Sequence, residues 1–207
     1  MNTNVFLSIP TLIAQGVPKN KIACLLRDMW QLQMDTRLLM ISHNTLVDPN
    51  FDITYHLEQV EEFINAFHIS WTRCVEQFML PNSFKRTYQF MEGLFEMNLD
   101  DMYALYDQQE RIPLCIHIQS KYICSVYNYN RSILLVNLTL MPRENIINNY
   151  RQIRHEFLVR ANQIQGYRNS HMNEFSPENK EYLMSLEGLF EETLSDDDET
   201  EIINFIS

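Results

Sequence analysis

Residues 111–140 read RIPLCIHIQSKYICSVYNYNRSILLVNLTL, and the way this run folds decides the fold of the chain. Branched and aromatic side chains dominate it, which suits a pleated surface. Leu114, Ile116 and Ile118 alternate with Cys115 and His117, while Tyr122, Cys124 and Val126 fall on one side of a second two-residue repeat. The third part, 133–140, is apolar nearly throughout its start, as in a strand covered on both faces. Gln119 and Ser120 stand where a tight connection would fall. Asn128 to Arg131 stand at the next, with two Asn that tolerate turn geometry. Pro113 lies where the first positions of a strand accept it. The expectation is a three-stranded antiparallel meander over 112–140.

Working outward, Pro142 suits the opening of a helix over 142–165, because its missing N–H costs nothing there. Ile146, Tyr150, Ile153, Phe157, Ala161 and Ile164 recur at three- and four-residue steps and form one apolar stripe. Arg143, Arg151 and Arg154 flank it on one side and Arg160 on the other. Upstream, to about residue 109, the pattern is helical. A short helix stops at Gly16. A second runs from Pro18 to about Ser42, with a break near Asp35. Asp52 caps a third, another runs over 69–80, and two more are expected over 83–97 and 98–106. The fold class this predicts is α+β: an N-terminal helical layer, the meander, a long closing helix and a flexible acidic C-terminal tail. Residues 1–165 make one domain, 166–180 a linker and 181–207 an amphipathic acidic tail.

Charge is distributed unevenly. The chain carries 27 acidic and 16 basic residues, a formal net charge of −11. Eleven of the acids, from Glu174 to Glu201, share the last 34 residues with one base, Lys180. The low isoelectric point therefore describes the C-terminal segment. A tail serving solubility alone has no need of its apolar residues. The segment is read as a partner-binding motif in which Tyr182, Leu186, Leu189, Phe190 and Leu194 anchor and Asp196, Asp197, Asp198 and Glu199 steer toward a basic or grooved protein surface. Ser195, followed at once by acids, suits phosphorylation by an acid-directed kinase.

Other chemistries find little footing. Only 4 Gly occur in 207 residues, which argues against Gly-rich phosphate loops. His155 and Glu156 lack the second His of a metalloprotease helix. Asp52 and His56 make at most half a metal site. Cys115 and His117 would share a strand face, without the strained turn that activates a nucleophile. Cys24, Cys74, Cys115 and Cys124 form no Cys-x-x-Cys pair and read as buried thiols, although the expected hairpin would let Cys115 and Cys124 face each other. Neither a membrane span nor a basic signal region is evident, so a cytoplasmic or nuclear location is expected. The reading is a non-enzymatic adaptor without cofactor or metal that acts by protein contacts. The alternative is an RNA- or DNA-binding regulator that uses Arg143, Arg151, Arg154 and Arg160, with the acidic tail as its autoinhibitor.

Overall fold

In the computed structural model, which describes residues 9–48, 50–81 and 111–207, the run that opened the sequence reading is one continuous α-helix, Arg111–Asn137. No strand occurs among the described residues. This corrects the expected α+β class and its meander: the described fold is all-helical. The physical reason lies in burial. From Ile116 to Leu138 nearly every turn is covered on all sides, with Gln119 the one exposed residue in that range. A helix buried around its whole circumference, with its polar residues scattered among the apolar ones, has no solvent-facing polar stripe to reveal the 3.6-residue period. Its local two-residue alternation then imitates a strand. The two expected turns contain no Gly, and Pro113 falls in the first turn of the described helix. Cys115 and Cys124 are nine residues apart on this helix, roughly 13.5 Å of rise, so no hairpin brings them together.

The helices in chain order are α1 (Ile9–Ala14), α2 (Lys19–Val47), α3 (Ile53–Phe78), α4 (Arg111–Asn137), α5 (Arg143–His171), α6 (Pro177–Leu194) and α7 (Asp197–Ile206). A short 3₁₀ turn, Met172–Glu174, joins α5 to α6. Gly16, with φ +82°, supplies the left-handed residue that ends α1. Asp52 caps α3 by accepting the Tyr55 N–H at 3.2 Å. Neither expected interruption occurs: α2 continues past Asp35 to Val47, and α3 continues past Ile69 to Phe78. The helices expected over 83–97 and 98–106 lie outside the described residues.

Helix α4 is the spine. On one side it packs antiparallel to α2, and Ile118, Ile133 and Val136 join a core with Leu25, Met34, Phe67 and Trp71. Two hydrogen bonds register this pair: Ser132 Oγ donates to Asp28 and Ser125 Oγ donates to Asp35. Both Asp and both Ser are seven residues apart, two turns, so they lie on the seam and stay buried. On its other side α4 meets α5, α6 and α7. Tyr127 packs with Phe157 and Phe190, and Leu134 and Leu135 pack with Ile146, Tyr150 and Ile202. The stripe of α5 closes over this helix, where a sheet had been expected.

The flexible C-terminal tail of the expected fold is corrected as well. Its residues form α6 and α7, which pack on α4 and α5 through the buried Leu183, Phe190 and Ile202. The stretch expected as a linker, 166–180, holds the last turns of α5, the 3₁₀ turn and the start of α6. Ser176 caps α6, accepting the Asn179 N–H at 3.3 Å, and Pro177 follows at its first turn.

Candidate interaction surface

Helices α6 and α7 each divide into an inward and an outward side. On α6, Leu183, Phe190 and Thr193 are buried, whereas Glu181, Met184, Gly188, Glu191 and Glu192 form an exposed stripe at three- and four-residue steps. On α7, Glu199 and Ile202 face inward, while Asp197, Glu201, Ile203 and Phe205 are exposed. Asp196 caps α7, accepting the Asp198 N–H at 3.0 Å. Asp197, Asp198 and Glu199 occupy its first turn, where the helix dipole favours carboxylates. The result is an outer surface dense in negative charge, with Met184, Ile203 and Phe205 among its exposed apolar groups.

Cations from three other helices hold this surface in place. Arg131 of α4, only 1% exposed, donates from Nη1 to the Thr193 carbonyl at 2.9 Å and places Nη2 3.6 Å from the Asp196 carboxylate. Arg154 of α5 pairs with Glu199, which also accepts the Tyr150 hydroxyl at 2.6 Å. Arg143 donates to the Ile206 carbonyl. Lys21 of α2 meets Glu201 at 2.5 Å. Burial, then the nearby Glu199, pushes the Tyr150 hydroxyl up to about 12, so it stays a donor at neutral pH. Burial and the neighbouring Asp196 together raise the Asp198 carboxyl above its ordinary range.

The sequence-predicted partner residues divide accordingly. Phe190 is turned inward, its ring edge-on to Phe157 at 5.9 Å between centroids. Leu189 and Leu194 are half-buried beside the same cluster. Tyr182 and Leu186 belong to α6, but their side chains lie outside the described residues. Asp196 and Asp197 are exposed, Asp198 is half-buried and Glu199 is buried. Ser195 is exposed between α6 and α7. Of the arginines Arg143, Arg151, Arg154 and Arg160 on α5, Arg151 and Arg160 are exposed and, among the described residues, make no ion pair with the C-terminal helices, whereas Arg143 and Arg154 are engaged by α7.

Two contributors escaped the sequence reading. Arg131 had been assigned to a turn, so its burial was invisible. Glu199 had been grouped with the steering acids, although its spacing to Ile202 and Ile206 puts the three on one helical face. Among the described residues, no three His, Cys, Asp or Glu side chains converge as a metal site requires, and no described helix is long and apolar enough to cross a membrane. No protein-family model, curated protein or solved structure matches this chain.

Proposed function

We propose that this protein is a non-enzymatic adaptor or regulator that binds a protein partner through the acidic outer face of α6 and α7. The single observation that carries this reading is the sorting of charge. Eleven acids and one base occupy residues 174–207, and the remainder of the chain carries 16 acids and 15 bases. Most of those acids are exposed on two helices that are docked by their apolar sides. A folded acidic surface loses less conformational entropy on binding than a disordered tail. The partner has a basic surface or a groove. Carboxylates steer the encounter, and Ile203, Phe205 and Met184, with Leu189 and Leu194 at the margin, supply apolar contact. Phe190 supports the surface from beneath. A cytoplasmic or nuclear location accompanies the reading, supported by the free thiols of Cys24, Cys74 and Cys124.

The test is affinity capture with the full chain beside a variant carrying Glu191→Lys, Glu192→Lys and Asp197→Lys, both checked for unchanged helicity. The adaptor reading expects a partner that is retained by the wild type in a salt-sensitive manner and lost by the variant. Identical sets of captured proteins would sink it.

A second reading is favoured by one specific contact set. Arg154 pairs with Glu199 and Arg143 with the Ile206 carbonyl, so α7 occupies two of the four arginines that would grip a nucleic-acid backbone. Under this reading α7 is an autoinhibitor. A chain ending at Ser195 would then bind single-stranded RNA more tightly, with a steep salt dependence. Arg151→Ala with Arg160→Ala would abolish the gain. Equal binding by full and shortened chains removes this alternative.

A further inference from the structure

We propose that Ser195 is an acceptor for an acid-directed serine/threonine protein kinase using ATP, and that the phosphate is received by the N-terminus of α7 and by Arg131. Ser195 is the only serine in the chain followed by four acids in succession, Asp196, Asp197, Asp198 and Glu199. A kinase whose substrate groove is basic reads such a run by charge. Thr193 also has an acid three residues on, but it is buried and its hydroxyl donates to the Leu189 carbonyl at 2.7 Å. The Ser176 hydroxyl is used as the cap of α6. Ser195 is exposed at the joint between α6 and α7, and among the described residues its hydroxyl makes only a long 3.4 Å contact to the Glu192 carbonyl. Asp196 and Asp197 are exposed beside it, so the start of the acidic run faces solvent together with the serine while Glu199 and Ile202 stay docked.

The independent pointer to an anion here is Arg131. Its two terminal nitrogens reach residues on either side of Ser195, Thr193 and Asp196, and the Asp196 carboxylate lies at 3.6 Å, too far for a hydrogen bond. Its Nε has no hydrogen-bond partner among the described residues. Among the described residues no carboxylate hydrogen-bonds this nearly buried guanidinium, and Asp198 acts on it only through space, which favours added negative charge close by. In the reaction, the Ser195 Oγ attacks the γ-phosphorus of ATP and the bond from that phosphorus to the β-phosphate oxygen breaks. ADP leaves, and the hydroxyl proton passes to the base of the kinase. The phosphoserine then stands one residue before the cap of α7, where the helix dipole and Arg131 oppose repulsion from Asp196 to Asp198. Attraction prevails because Arg131 is buried and weakly screened, Asp196 and Asp197 face water, and the half-buried Asp198 is itself offset by Arg27.

The experiment incubates the full chain with an acid-directed kinase and ATP, locates phosphate by peptide mass spectrometry, and melts the modified and unmodified protein side by side. The wild type is expected to take up one phosphate, on Ser195, and Ser195→Ala none. Asp198→Asn is expected to slow uptake roughly tenfold, the scale of one lost charge-assisted contact. The modified protein is expected to melt about 1–3 °C higher. No uptake, uptake at another residue, or uptake indifferent to Asp198→Asn overturns the site. A lower melting temperature overturns capture by α7 and Arg131.

Discussion

Asp35 and His117 carry a pH dependence that neither reveals in the presence of the other. Asp35 is buried in the α2–α4 seam. Burial raises its carboxyl to about 6, against the lowering effects of Ser125 and of Lys121. The proton is therefore held more tightly in the folded chain, and the stability this lends at low pH is lost as pH rises from about 4 through about 6. His117 runs the other way. Burial, with Lys121, lowers it to about 4, so its contribution is full above about 6.5 and is lost as pH falls toward 4. The two windows overlap and largely cancel. Asp35→Asn is expected to stabilise the protein at pH 7 by about 1–2 kcal/mol, less than the full shift implies because Lys121 loses its partner. In urea titrations across pH 4–7, this variant is expected to lose stability steadily on acidification, a trend the wild type lacks. A wild-type slope as steep as the variant's would show that the two groups do not offset each other.

At the scale of elements, α4 and α7 make opposite demands. Helix α4 is held from all sides, so its backbone tolerates no interruption where the sequence suggested a turn. Asn130→Pro in mid-helix is expected to cost about 3 kcal/mol or more, whereas Asn130→Ala is expected to be neutral or to add a few tenths of a kcal/mol through helix propensity. Chemical denaturation of both variants measures this. Helix α7 has ten residues, too few to persist alone in water. Ile202, fully buried, is its main apolar attachment. Ile202→Ala is expected to cost roughly 2–4 kcal/mol and to release hydrogen-exchange protection across 197–206 first. The exposed Ile203→Ala is expected to remain within about 0.5 kcal/mol of wild type. Equal effects of the two would contradict the inward assignment of Ile202.

At the scale of the whole molecule, α4 contributes to every apolar cluster among the described residues. The α2–α3 side and the α5–α7 side therefore share one spine, and neither keeps its core if the spine melts. Cooperative unfolding is expected. Trp30 and Trp71 both belong to the α2–α3 side, where Trp30 packs on Phe67 at 4.5 Å between ring centroids. Their fluorescence reports that side, and far-UV circular dichroism reports all helices. The two urea transitions are expected to coincide. Separate midpoints would mean that the acidic side opens independently of the tryptophan side.

Some of this was readable without coordinates. The stripe Ile146, Tyr150, Phe157 and Ala161 is legible because α5 borders solvent, so its polar residues mark the helical period. The concentration of acid after Glu174 is a matter of counting. The caps at Asp52 and the stop at Gly16 follow from local chemistry. What only the tertiary structure decided is whatever depends on being surrounded. Helix α4 resembled strands because four neighbours remove the polar face that reveals a period. Arg131, Asp28 and Asp35 became interior groups because the partners that make their burial tolerable come from distant parts of the chain. Phe190 and Ile202, legible as apolar residues among acids, face inward because α4 and α5 offered them a core that local spacing does not encode.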